Sequence, residues 1–246
     1  VDLTPAAITI NTIATDDVIN AAEKGANLTL SGTTTNVEPG QTVTVTFGGK
    51  KYTASVASDG SWTATVPAAD LAALPEGSAS AQASVSNING NSASAVHNYS
   101  VDSSAPTIII NTVASDNIVN ASEADAGVTV SGSTTAEAGQ IVTITLNSPT
   151  VQTYQATVQA DGSWSINIPA ADLEALTDGS HTLTATVNDK AGNPASTTHN
   201  LAVDLTVPVL TINTIAGDDI INAAEHGQAL VISGSSTGGE AGDVVT

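Results

Sequence analysis

The segment Asp16-Asp17-x-x-Asn20-x-x-Glu23 places four oxygen-bearing side chains within eight residues. It returns as Asp116-Asn117-x-x-Asn120-x-x-Glu123, and again as Asp218-Asp219-x-x-Asn222-x-x-Glu225. Carboxylates and carboxamides at this density are hard donors of the kind calcium uses, which takes roughly six to eight oxygens from side chains, carbonyls and water. The order of residues is not that of an EF-hand, since the glycine and the ligand sequence differ. Further oxygens stand nearby in the chain. Asp2, Asp102 and Asp204 each follow a valine and precede a proline by three or four residues. Asp189 opens a turn ending at Asn193, whose counterpart from Asn87 to Asn91 is neutral, and Asp59-Gly60 and Asp161-Gly162 mark two more turns. The same residue types also make purely local turn hydrogen bonds. Cation binding and turn chemistry are both open at this point.

Other chemistry finds little footing. Of the histidines His97, His181, His199 and His226, only His97 and His199 are equivalent, and a surface or edge position explains them. There is no cysteine, no arginine and no nucleophile motif, so acyl transfer has no candidate. A carboxylate pair for glycoside hydrolysis would be expected once, in one groove, whereas these acidic residues recur along the chain. The reading is therefore not an enzyme. Twenty-four acidic residues against four lysines give a net charge of −20, which disfavours nucleic acid and anionic membrane and favours a cation as partner. Residues 1–101 hold eight of the acidic residues and residues 102–203 hold ten, a spread that fits folded domains better than an acidic tail. No apolar run is long enough to span a membrane, and nothing resembles a signal peptide.

Asp16 to Asp116 is 100 positions and Asp116 to Asp218 is 102. A period this long is a whole domain rather than a solenoid unit. The expected organisation is a domain at 1–101, a second at 102–203, and an incomplete third at 204–246, cut from a longer protein.

Within each unit the alternation is that of strands. Val43, Val45 and Phe47 alternate with threonines, as do Val142, Ile144 and Leu146. Tyr52, Ala54 and Val56 match Tyr154, Ala156 and Val158; Trp62, Ala64 and Val66 match Trp164, Ile166 and Ile168. The outward positions are mostly threonine and serine, which suit an exposed β surface. Only Pro67 to Leu74 and its twin Pro169 to Leu176 look helical. About seven short strands in about 100 residues predict tandem all-β immunoglobulin-like sandwiches without disulfides, with Trp62 and Trp164 anchoring the cores.

That fold places the candidate donors. The first strand leaves the preceding junction, so the Asp16 segment lies at the far end of its unit, where the last strand also ends at Asp102. Unit two begins there and presents its Glu137 loop, its Asp161 hairpin and its Asp189 turn. Carboxylates from two units and the linker converge on one seam, an unfavourable arrangement unless cations screen or bind them.

The motifs Asp16-Asp17-Val18-Ile19-Asn20-Ala21-Ala22-Glu23, Asp59-Gly60-Ser61-Trp62 and Val101-Asp102 resemble the repeated bacterial immunoglobulin-like domains of giant non-fimbrial adhesins, the Salmonella type above all. The resemblance covers the entire chain. It implies a tandem, rod-like array on the bacterial cell surface, exported by type I secretion and serving adhesion and virulence. It also implies calcium at the domain junctions and contact with a host cell surface, including its glycans. Carried over by position, the implied metal ligands are Asp16, Asp17, Asp102, Asp161 and Asp189 at the first seam. Asp116, Asn117, Asp204, Asp218 and Asp219 are their partners at neighbouring seams. Asn117 departs from the pattern, as do Asn87 and Asn89, and each lowers the local charge. The runner-up is a direct carbohydrate- or receptor-binding module, for which Tyr52, Tyr99 and Tyr154 are sparse material.

Overall fold

The computed structural model describes residues 4–147, 151–239 and 244–246, so Asp2 lies outside the described residues. The first unit runs β1 (Ala7–Ile8), β2 (Val18–Ile19), α1 (Ala21–Lys24), β3 (Leu28–Thr35), β4 (Thr42–Phe47), β5 (Lys50–Ser55), β6 (Ser61–Val66), α2 (Ala68–Leu71), β7 (Gly77–Ser86) and β8 (Ser92–Val101). The second repeats it as β9 (Ile108–Ile110), β10 (Ile118–Asn120), α3 (Ala121–Ala126), β11 (Val128–Thr134), β12 (Ile141–Asn147), β13 (Gln152–Thr157), β14 (Ser163–Ile168), α4 (Ala170–Leu173), β15 (Gly179–Asn188) and β16 (Pro194–Asp204). Beyond it, β17 (Val209–Ile212) pairs with β18 (Gly234–Thr237).

Each of the first two units is a three-stranded sheet facing a five-stranded one. The orders are β1-β3-β6 with β2-β8-β7-β4-β5, and β9-β11-β14 with β10-β16-β15-β12-β13. The period-two pattern supplies the inner faces: Val43, Val45 and Phe47 are buried in one core, and Val142, Ile144 and Leu146 in the other. Threonines and serines hold the outer faces because their hydroxyls stay hydrated while their branched or small side chains suit the pleat.

Trp62 and Trp164 are each 1% exposed, the core anchors expected of them. Gly32 stands opposite Trp62 in the ladder, and Gly132 opposite Trp164. A Cβ on Gly132 would lie 1.9 Å from the carbonyl oxygen of Ile109 and 2.4 Å from the indole. The indole fills the space the missing side chains leave. The cores differ in one layer: Phe47 stacks on Tyr99 at 4.6 Å above the small Ala81, where unit two has Leu146, Leu201 and Leu183.

Two short helices, α1 and α3, fall where the sequence suggested only loop. Their cause is a capping box. The Asn20 side chain accepts from the Glu23 N–H at 3.0 Å, while the Asn20 N–H donates to Glu23 Oε2 at 3.0 Å, and Asn120 with Glu123 does the same. Two of the four oxygen donors in each segment are therefore committed to ending a strand and starting a helical turn.

The strand β2 supplies the feature that matters for the site. It joins β8 in parallel, Val18 beside Ser100 and Ile19 beside Val101, while β10 joins β16 likewise, with Asn120 beside Asp204. This pairing brings the acidic segment of each unit against the end of its last strand, at the start of the linker.

Candidate metal centre

The residue preceding β2 is held by its own loop. Asp17 has φ +66°, Asn117 +68° and Asp219 +60°, a left-handed conformation that Asp and Asn tolerate better than most side chains. Oδ1 of Asp17 accepts from the Ile13 N–H at 2.8 Å and from His97 Nε2 at 2.6 Å. Oδ1 of Asn117 makes the same bonds to Val113 at 2.9 Å and His199 at 2.7 Å, and Asp219 accepts from Ile215 at 2.8 Å. The task needs only a carbonyl-like oxygen, which is why Asn can replace Asp. The Ile13 N–H and then His97 hold the Asp17 carboxyl below the usual aspartate range. The two equivalent histidines thus have partners after all, and the parallel pairing of β2 with β8 supplies them.

The preceding aspartate has a lighter commitment. Asp16, Asp116 and Asp218 each use Oδ1 to accept from the N–H two residues on, at 3.0, 2.9 and 3.0 Å. Asp16 then lines a cavity of about 390 Å³ at the first junction, together with Asp102 of the linker and Glu137, Lys190 and Ala191 of unit two. Val18 and Ser100 complete it. Asp102 is only weakly engaged, accepting from Ser104 N–H at 3.4 Å, and Asp204 accepts from Thr206 N–H at 3.1 Å. Glu137 accepts from the Lys190 N–H at 2.8 Å, which ties its loop to the turn after β15.

The other two candidates at this seam are placed differently. Asp161 closes the hairpin before β14, accepting from both the N–H and the hydroxyl of Ser163 at 3.0 and 2.6 Å. Those bonds, the hydroxyl first, hold its carboxyl below the ordinary value. Asp189 is 7% exposed and accepts at Oδ1 from the Asn193 N–H at 2.8 Å and at Oδ2 from Asn193 Nδ2 at 2.9 Å. Asp16 and Asp102 therefore share the cavity with Glu137, Asp17 stands beside them latched to its loop, and Asp161 and Asp189 brace turns.

The donor set is hard and anionic, of the kind calcium selects. Among the described residues, no group of three or more His, Cys, Asp or Glu side chains is gathered closely enough to hold a metal. The three carboxylates of the cavity fit calcium in donor type but are not gathered into a ligand cluster.

Several junction residues were not among the candidate donors. Asn193 bonds across the seam, and Lys24 reaches Glu76 at 3.3 Å and Ser103 Oγ at 3.2 Å. Glu76 in turn accepts from the N–H of Ser103 at 2.9 Å and from its hydroxyl. Asp178 repeats the grip on the second linker, with Leu205 N–H and Thr206 Oγ1 both at 2.7 Å. The recurrence of an acidic residue just before β7 and β15 was the available sign.

A family model described as a bacterial Ig-like domain matches residues 104–205. Among solved structures, the chain is similar to a Ca2+-stabilized adhesin that helps an Antarctic bacterium reach out and bind ice. Identity is 36% over 96% of this chain and 58% of that one, with a TM-score of 0.54. It is also similar to a 1.5-MDa bacterial ice-binding adhesin, at 34% identity over 96% of this chain and 77% of that one, with a TM-score of 0.52. The chain thus spans a little over half of the first structure. No curated protein sequence matches it. The disulfide-free sandwiches, their repetition and these likenesses together place the chain in the family of bacterial immunoglobulin-like domains, as found in large bacterial adhesins.

Proposed function

We propose that this chain is a structural segment of a giant bacterial surface adhesin, a row of sandwiches that calcium stiffens at the junctions. The units are 1–101, 102–203 and 204–246. The segment projects or mediates contact with a host cell surface, and it belongs outside the cell after type I export, in an adhesin of the Salmonella type. No step of chemical catalysis is assigned to it.

The observation that carries the calcium reading is the junction cavity, whose carboxylates come from unit one, the linker and unit two at Asp16, Asp102 and Glu137. A cation held there adds a tie among all three segments. The Ca2+-stabilized adhesin to which the chain is similar supports the same choice of ion. Asp116 and Asp204 offer the corresponding start of a second site, with Asn117 in the latch position; Asp218 and Asp219 offer a third. Asp17, Asp161 and Asp189 contribute to the local field and hold the loops that present the ligands.

A direct sugar- or receptor-binding surface is the lesser reading. Tyr99 is buried, and the hydroxyls of Tyr52 and Tyr154 are tied to Asp70 and Asp172 at 2.8 and 2.6 Å.

Calorimetric titration of the chain with calcium tests the reading. Saturable binding that Asp16→Asn and Glu137→Gln each weaken is expected. Binding that neither substitution alters would place the ion elsewhere and overturn the site.

A further inference from the structure

Asn193 is 1% exposed, and every hydrogen-bonding atom of its carboxamide is used. Nδ2 donates to Asp189 Oδ2 and to the main-chain carbonyl of Asp102, both at 2.9 Å. Oδ1 accepts from the N–H of Ala21 at 2.8 Å. One side chain therefore holds its own turn, the linker and the helical turn α1 of the preceding unit. Alongside it, Asn20 Nδ2 donates to the carbonyl of Ala191 at 3.1 Å. None of these bonds involves a free carboxylate of the cavity.

We propose that Asn193 is a metal-independent pin that fixes how unit two sits on unit one. The Ala21 N–H is one of the donors that the start of a helix leaves without an intrahelical partner. Ala21 itself is exposed, but Asn193 is buried, so its Oδ1 would be left unpaired at the seam without the Ala21 N–H, and that makes the bond costly to lose. The amide is presented in a fixed pose because Asp189 grips it from two sides, through its N–H and its Nδ2. Asp189 is thereby a positioning residue of the junction. A carboxylate is well suited to this because it accepts at both oxygens. The pin sets a default orientation, and a cation in the neighbouring cavity narrows the motion that remains about it.

The equivalent turn of unit one has the same internal bracing with weaker means. Asn91 N–H donates to Asn87 Oδ1 at 2.9 Å, and Ile88 N–H donates to Glu38 Oε2 at 2.9 Å where Lys190 serves Glu137. Asn87 can offer one acceptor oxygen where Asp189 offers two.

The test measures interdomain distances by pulsed electron spin resonance in excess chelator, so that calcium plays no part. The chain has no cysteine, so Asn98→Cys and Ser196→Cys place one label on an exposed site of each unit. Two variants are compared with the parent. Asn193→Ala removes the pin. Ala21→Pro removes only the donor, at the first helical position, where proline fits and the extended Asn20 before it is compatible. Near-ultraviolet circular dichroism of Trp62 and Trp164 checks that both cores persist. The expected result is a distribution in the parent with a preferred distance, which both variants broaden further. A distribution unchanged in Ala21→Pro, whether or not Asn193→Ala broadens it, would overturn the pin. Failure of calcium to bind would leave this outcome untouched.

Discussion

Glu76 grips Ser103 at the first residues of the linker, accepting from its N–H at 2.9 Å and from its hydroxyl, with Lys24 completing the cluster. The Ser103 hydroxyl first, then its N–H and Lys24, hold the Glu76 carboxyl below the ordinary glutamate value of 4.5. A carboxyl whose pKa falls on folding contributes stability that is present above the unfolded value and is lost as pH drops through the folded one. The grip is therefore intact at neutral pH and released on acidification below about pH 4.5. Asp178, lowered by Leu205 N–H and Thr206, behaves alike at the second linker. Glu76→Gln should make cleavage of the 102–106 linker by a protease faster at pH 7, and should flatten the acid dependence seen in the parent. Equal cleavage of parent and variant across this range would remove the linker grip from the account.

Gly32→Ala and Gly132→Ala should each unfold their own unit preferentially. The added Cβ meets a carbonyl oxygen at 1.9 Å and an indole within 2.6 Å in both cases, and neither neighbour can yield cheaply. Overpacking of this kind costs about 1–3 kcal/mol or more. Hydrogen exchange followed separately in residues 1–101 and 102–203 in urea should show a lower midpoint for the altered unit and little change in the other.

Tyr52→Phe and Tyr154→Phe should cost about 1.5–3 kcal/mol each, the range for a hydrogen bond to a charged group. Each hydroxyl anchors a crossover helix, α2 or α4, to an edge strand through Asp70 or Asp172. Burial first, then the bonded Asp70, push the Tyr52 hydroxyl up to about 12. Its contribution is complete below the ordinary value of 10 and disappears as pH rises through about 12. Alkaline unfolding of Tyr52→Phe should lose the part of the pH dependence that falls in this window. An unchanged profile would mean that the hydroxyl does not hold the helix.

Asp16 and Asp17 should separate cleanly although they are adjacent. Asp17→Asn reproduces what Asn117 already does in unit two, so stability should stay within about 0.5 kcal/mol and calcium affinity should change little. Asp16→Asn removes a charge from the cavity and should weaken calcium roughly 10-fold. The reverse pattern in calorimetry would reassign the ligand to Asp17.

The sandwich was legible because Val43 to Phe47 and Val142 to Leu146 show alternation that only a half-buried strand satisfies. Asp16, Asp102 and Glu137 were legible as sharing one seam because antiparallel strands fix which loops lie at each end of a unit. The capping boxes of Asn20 and Asn120 were written as N-x-x-E, yet they were read as oxygen donors for a metal, since the same atoms serve both purposes. Asn193 was out of reach. Its role depends on the Ala21 N–H of another unit, and that contact exists only once the relative placement of the two sandwiches is known.

The central claim is that calcium stiffens the junction between units, and small-angle X-ray scattering of the chain in millimolar calcium and then in excess chelator tests it most directly. The account predicts a larger maximum dimension or a narrower conformational spread with calcium, lost on chelation and diminished in Asp16→Asn. Identical profiles in both conditions would contradict it and leave the recurring aspartates as turn residues alone.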